Sequence, residues 1–404
     1  MEIHKESYGK LFKKKELNKL VSHNRFILIN TLTAFFIVIT VITTLLYFKF
    51  DGKITGFFRI GDVIPTSPYL DKPSAYIFHN TGGHDGQQYL SISLDPALRN
   101  PGTIKALDNP KYRYRRIAYP SMGYIFGLGS PHFIPYAMVL INLLSFTCLI
   151  LSISVYKKTE IPNSIASLNP LLAIGIPGLW FSLCLSTTDL FGIALVISAI
   201  VLIRRSLTGY AVILLMLACL TRETYIATVL AITIFMFAKN HIKKAFAIGM
   251  ATLPALIWNI YVYFSFHGTL GNQENFGAPF CGIINKIKTL FSGALSPKYL
   301  LEVYCFTILL TVIVILIISV KKNWKEHGIL FSAAFPSILI LLISKIQILD
   351  SCIDYLRVFL DLFVIIYLLP SDKTMLARIR TLILCFCSFI TIGYIIGYCI
   401  SDLA

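Results

Sequence analysis

Residues 26–48 read FILINTLTAFFIVITVITTLLYF, an apolar run from Phe26 to Phe48 without one charged side chain. A helix of that length crosses about 30 Å of hydrocarbon, so the run reads as a membrane span. Residues 1–25 are basic, and no small-residue cleavage site follows the run, so it reads as a first span that stays in place. The rest of the chain repeats the pattern. Its 404 residues are 56% hydrophobic and 14% charged, with a mean hydropathy of +0.73, more apolar surface than a soluble domain buries. The net charge of +16 comes from cations set between apolar runs. That placement reads as topology signalling and argues against a nucleic-acid partner.

The expected fold is an all-α membrane protein, a polytopic helical bundle in contact with membrane lipids. Its eleven candidate spans fall at 26–48, 132–155, 168–188, 189–203, 208–221, 223–238, 245–266, 300–320, 328–345, 354–369 and 380–400. The basic clusters Lys13-Lys14-Lys15, Lys157-Lys158, Arg204-Arg205, Lys239 to Lys244, Lys321-Lys322 and Arg378/Arg380 then share one side. By the retention of positive charge that side is the cytoplasm, with the N-terminus on it. The domain plan is a cytoplasmic tail (1–25), a first span (26–48), a long outward loop (49–131) and the remaining bundle (132–404). Within the bundle, 208–238 has cations at both ends and needs an even number of crossings. Its break falls at Leu220-Thr221-Arg222-Glu223-Thr224, giving a short-arm hairpin. Arg222 and Glu223 then sit at or below the outer surface, either as anchors at the hairpin tip or as part of a charged cavity wall. Adjacent in sequence, they point in different directions on a helix, which argues against their pairing only with each other.

The loop 49–131 is far longer than the other connections and rich in aromatic residues, so it is expected to be ordered. It centres on Gly82-Gly83-His84-Asp85-Gly86-Gln87-Gln88-Tyr89, followed by Leu90, Ile92 and Leu94 alternating with serines, then Asp95-Pro96. The glycines supply a turn and Asp85 is placed to cap the element after it, which favours a short helix although the alternation is strand-like. For Asp85 two readings stand: a carboxylate capping backbone N–H groups, or a general base accepting the proton of an attacking hydroxyl. One histidine beside one aspartate is a thin basis for a divalent cation, so no metal or cofactor is expected. Downstream, Lys111-Tyr112-Arg113-Tyr114-Arg115-Arg116 interleaves cations with tyrosines. It reads either as an interfacial belt or as a clamp in which guanidinium groups grip phosphate oxygens.

Ser186-Thr187-Thr188-Asp189 and the segment Asp350 to Arg357 also face outward in this topology, most simply as helix caps or end anchors, and company with Asp85 in one cavity would raise their standing. The loop 267–299 is turn-rich. The nine cysteines read as small hydrophobes, with Cys281 and Cys352 the one pair placed for a disulfide. No internal repeat emerges, which weakens a transporter built from repeated halves.

The run Gly83-His84-Asp85-Gly86-Gln87-x-Tyr89 with Asp95-Pro96, then Tyr112-Arg113-Tyr114-Arg115-Arg116-Ile117-x-Tyr119-Pro120 and later Leu220-Thr221-Arg222-Glu223-Thr224, resembles a bacterial family of multi-pass membrane proteins assigned to cell-surface glycopolymer formation. The acid-Gly-x-x-Tyr pattern is more distantly similar to GT-C-type membrane glycosyltransferases, including the dolichol-phosphate-mannose-dependent mannosyltransferases of GPI-anchor synthesis. The resemblance covers roughly the first 60% of the chain. It implies a hexosyltransferase of the inner membrane that takes a sugar from a polyprenyl-phosphate donor to a glycan or lipid-linked acceptor. It further implies Asp85 as the catalytic carboxylate of the loop, a base or an acceptor-positioning group, and His84, Gln87, Tyr89, Arg113, Arg115, Arg116, Asp189, Arg222 and Glu223 around donor phosphate and substrate. Many GT-C enzymes carry a second acid next to the first. Here that place is Gly86, a departure from the pattern that argues against an adjacent two-carboxylate or metal-dependent site. A flippase of lipid-linked sugars and a glycan polymerase or ligase are the competing expectations.

Overall fold

The computed structural model describes residues 2–160, 170–266, 275–293, 296–369 and 375–400. The turn-rich stretch 267–274 and the side chains of Lys13-Lys14-Lys15, Lys158 and Lys321-Lys322 lie outside the described residues. Helix α1 (Glu2–Phe48) leads into the long loop, which holds a 3-10 turn (Ile54–Phe58) and two short parallel strands, β1 (Ile60–Gly61) and β2 (Ile77–Phe78). Four short helices complete it: α2 (Asp85–Leu94), α3 (Pro101–Lys105), α4 (Pro110–Tyr114) and α5 (Ala118–Phe126). The bundle continues through α6 (Ile134–Glu160), α7 (Pro177–Cys184), α8 (Thr188–Arg204), α9 (Thr208–Thr221), α10 (Thr224–Ala238), α11 (Ile242–Met250) and α12 (Leu253–Ser265). It closes with α13 (Cys281–Ser292), α14 (Pro297–Ile343), α15 (Ile346–Leu349), α16 (Cys352–Val358), α17 (Leu360–Leu368) and α18 (Met375–Ile400).

Among the described residues, six stretches are helical, long and apolar enough to cross a membrane: Asn24–Phe48, Ile134–Lys157, Ile242–Ser265, Pro297–Val320, Asn323–Ile343 and Arg378–Ile400. The other expected spans are shorter or broken. Residues 168–188 hold a 3-10 turn and the eight-residue α7, and 354–369 is interrupted at Phe359 between α16 and α17. A straight helix of α14's 47 residues would run about 70 Å. Instead it turns at His327 (φ −116°, ψ 18°). Lys286 Nζ joins the start of α14 to the segment that follows its end, 2.9 Å from Glu302 Oε2 and 2.7 Å from the carbonyl of Asp350.

The described cations of the basic clusters gather at the opposite end. Lys157 Nζ and Arg380 Nη1 both donate to the carbonyl of Leu369, Arg204 to that of Glu326, and Lys244 to Ser206 Oγ. From this basic end α8, α9 and α10, of 17, 14 and 15 residues, rise only about 25, 21 and 22 Å. That leaves a hollow at the loop end, and the loop fills it. Asn142 Nδ2, in the third turn of α6, donates to Tyr119 Oη at 2.9 Å, and Trp258 Nε1 of α12 donates to the carbonyl of Tyr114 at 2.8 Å. Helices α4 and α5 thus lie below the loop-end tips of α6 and α12 and above those of α8 to α10. Helix α2 belongs to the same plug. Its residues 86–94 are buried all round, so the alternation of Leu90, Ile92 and Leu94 with serine marks no strand. Ser91 Oγ donates to the carbonyl of Gln87, one turn back, and Ser93 Oγ to that of Pro120.

Candidate functional site

The plug and the tips of the short helices meet on charged surfaces. Asp85 is the first residue of α2, and the N-cap position falls to His84, which makes no side-chain capping bond. The Asp85 carboxylate faces two arginines instead. Its Oδ1 is 2.7 Å from Arg113 Nη1 of α4, and its Oδ2 is 2.8 Å from Arg357 Nη1 of α16. Burial pushes the Asp85 carboxyl up, but the guanidiniums of Arg113 and Arg357 outweigh it and hold the group well below the usual carboxylate range.

Each arginine reaches further. Arg113 also grips Asp108 with a forked pair, Nε to Oδ1 at 2.8 Å and Nη2 to Oδ2 at 2.6 Å. Arg357 Nη2 donates to Asp354 Oδ1 at 3.2 Å, and its Nε is 3.5 Å from Asp189 Oδ2. Asp189, in the first turn of α8, accepts from Thr187 Oγ1 at 2.8 Å and pairs closely with Arg222. A second cluster adjoins the first. Arg116 forks onto Glu223, with Nε to Oε2 at 3.1 Å and Nη2 to Oε1 at 3.0 Å, and donates to the hydroxyls of Tyr89, at 3.0 Å, and Tyr112. Arg222 and Glu223 therefore point apart, one into each cluster.

Of the expected site residues, the fold brings together Asp85, Arg113, Arg116, Asp189, Arg222, Glu223 and Tyr89. His84 stands at the edge, its Nε2 3.8 Å from Asp354 Oδ1 and its buried Nδ1 without a partner. Gln87 turns the other way, its Oε1 accepting from the backbone N–H of Gly61 at 2.9 Å, so it ties α2 to β1. Arg115 is half-buried and makes no ion pair among the described residues. Arg357, Asp354 and Asp108 complete the network. The first two belong to the outward segment Asp350 to Arg357, which reads in the sequence as a helix cap or end anchor and which the fold places beside Asp85.

Gly86 has a steric reason. A Cβ there would lie 2.3 Å from the carbonyl oxygen of Leu185 and 2.9 Å from that of Phe58, so no acid fits beside Asp85. The second carboxylate comes from across the fold, as Asp354, with Arg357 bridging the two. Among the described residues no three His, Cys, Asp or Glu side chains gather as metal ligands, and Cys281 and Cys352 are free thiols.

Below the second cluster a lateral apolar groove of about 1070 Å³ runs between α10 and both arms of α14, lined by Leu230, Ile234, Leu316, Trp324, Phe335 and Leu339. Glu223 heads the helix face that continues through Ala227, Leu230 and Ile234, so the groove begins one turn beneath the Arg116–Glu223 pair.

The chain is a helical, multi-pass membrane protein with a buried ionic network where a long ordered loop meets short and broken helices. Comparison with protein-family models, with curated proteins and with solved structures gives no match for it.

Proposed function

We propose that the protein is a GT-C-like hexosyltransferase of a bacterial inner membrane, crossing it about eleven times with its N-terminus in the cytoplasm. It moves a sugar from a polyprenyl-phosphate donor to a surface glycan or lipid-linked acceptor on the outer side. The observation that carries the reading is the meeting of Asp85 and Asp354 through Arg357, at the open edge of a network that runs on to Arg116 and a chain-sized apolar groove. The acceptor hydroxyl meets the Asp85–Asp354 edge, where carboxylates orient and deprotonate it. The donor's prenyl chain lies in the groove, and its phosphate meets the arginine cluster of the loop. Arg113, Arg116 and Arg222 already hold internal carboxylates, so the first phosphate contact falls to Arg115. The test is transfer of label from a panel of hexosyl polyprenyl phosphates by the purified protein in detergent. No transfer from any of them overturns the reading, and an Asp85→Asn protein that is folded and fully active removes Asp85 from the site.

A flippase of lipid-linked sugars is the second reading, and one observation favours it. Polar groups continue inward past Arg222 to Asp361 of α17, whose carboxylate accepts from Ser337 Oγ and keeps one buried oxygen without a partner. Vesicle assays separate the two, because a flippase moves the lipid without changing its covalent structure.

A further inference from the structure

A hydroxyl that attacks an anomeric carbon hands its proton to a group with a free lone pair and access to the substrate. Asp85 has little of either. Both its oxygens sit in charge-assisted bonds, at 2.7 and 2.8 Å, and its side chain is 19% exposed. A carboxylate held so is a strong anchor and a reluctant base. Asp354 differs on each count. Its Oδ1 takes the longer contact from Arg357 and lies near His84, whereas no described residue donates to its Oδ2. Its side chain is 37% exposed, so the free oxygen belongs to the open edge of the network.

We propose that Asp354 is the catalytic base of the sugar transfer and that Asp85 is a positioning residue acting through Arg357. The inference rests on the transferase reading. In the step, the acceptor O–H bond breaks and its proton passes to Asp354 Oδ2. The oxygen's electron pair forms the new bond to the anomeric carbon as the bond from that carbon to the phosphate oxygen breaks, its electrons leaving with the polyprenyl phosphate. Arg357 donates to both carboxylates at once, so fixing Asp85 fixes the guanidinium that aims Asp354. The steric closure of the Gly86 position is why the base comes from α16 and not from the residue next to Asp85.

The experiment uses the full chain in detergent, labelled hexosyl polyprenyl phosphates as donors and a short-chain alkyl glycoside as acceptor. Wild-type transfer is read first, and its absence sinks the transferase reading and this assignment with it. Where the wild type is active, Asp354→Asn and Asp354→Ala are each expected to lower kcat by about 100-fold or more, with donor KM and thermal midpoint little changed. Added formate is expected to restore much of the Asp354→Ala loss, since a free carboxylate enters the vacated space and takes the proton. It should not restore Asp85→Ala, whose defect is one of position. An Asp354→Asn protein that keeps most of its activity, or formate rescue of Asp85→Ala and not of Asp354→Ala, overturns the assignment and leaves the transferase reading standing.

Discussion

Arg357 Nη1 lies 2.8 Å from Asp85 Oδ2, a contact between residues 272 positions apart that fastens the loop's central helix to a broken helix of the bundle. The same guanidinium touches Asp354 and comes near Asp189, so three carboxylates on three helices share one cation.

Removing that cation leaves like charges facing one another in a largely dry seam. Arg357→Ala is expected to destabilise the fold by about 3 kcal/mol, mostly through the buried Asp85 and Asp189, with the more exposed Asp354 adding little. Arg357→Lys keeps the charge and loses the fork, so it should fall between alanine and wild type. Thermal unfolding in detergent reads both, and an unchanged midpoint for the alanine variant would count against a structural role for the network.

Gly86 packs its Cα against two backbone carbonyls that cannot swing aside as a side chain would. Gly86→Ala should cost about 1–3 kcal/mol and loosen α2 from α7 and the 3-10 turn. Limited proteolysis of the loop is the measurement, with faster cleavage expected. Wild-type resistance in the variant would show that the seam has room to give.

The pH dependence arises from Asp85, whose folded-state pKa lies well below its ordinary value. A depressed pKa contributes stability that is complete above about pH 5 and is lost as the pH falls through the ordinary carboxylate range to the folded value. The gap in thermal midpoint between wild type and Asp85→Asn should therefore hold steady from neutral pH to about pH 5 and narrow at lower pH. A gap that widens on acidification contradicts the two-arginine grip.

The doubled-back α14 fixes which surface sites share a side. In a cysteine-free background, Lys298→Cys should be labelled by an impermeant thiol reagent from the same side as Lys72→Cys in the loop. Lys325→Cys should be labelled from the opposite side, with Lys239→Cys. Labelling of Lys298→Cys and Lys325→Cys from one side would be incompatible with a crossing by the first arm of α14, Pro297–Val320.

The sequence by itself determined the membrane class, the ordered loop, the break between Leu220 and Thr224 and the divergence of Arg222 from Glu223. Each is a local or periodic property: hydrocarbon selects long apolar runs, and adjacent side chains point apart on a helix and equally in the extended backbone that Arg222 adopts at the break. The long spans near 26–48, 132–155, 245–266, 300–320, 328–345 and 380–400 were legible for that reason. The stretches 168–188 and 354–369 were not legible as short or broken helices, because wholly buried segments are apolar whether or not they cross a bilayer. Tertiary structure alone decided what Asp85 touches. In the sequence it stood as a cap or a base, and its neighbours gave no sign of Arg357 or of the carbonyls that close the space at Gly86. Partners so far apart along the chain are chosen by the hollow above the short helices, which draws the loop down until its carboxylate meets a guanidinium in a seam where an unpaired charge is too costly to leave.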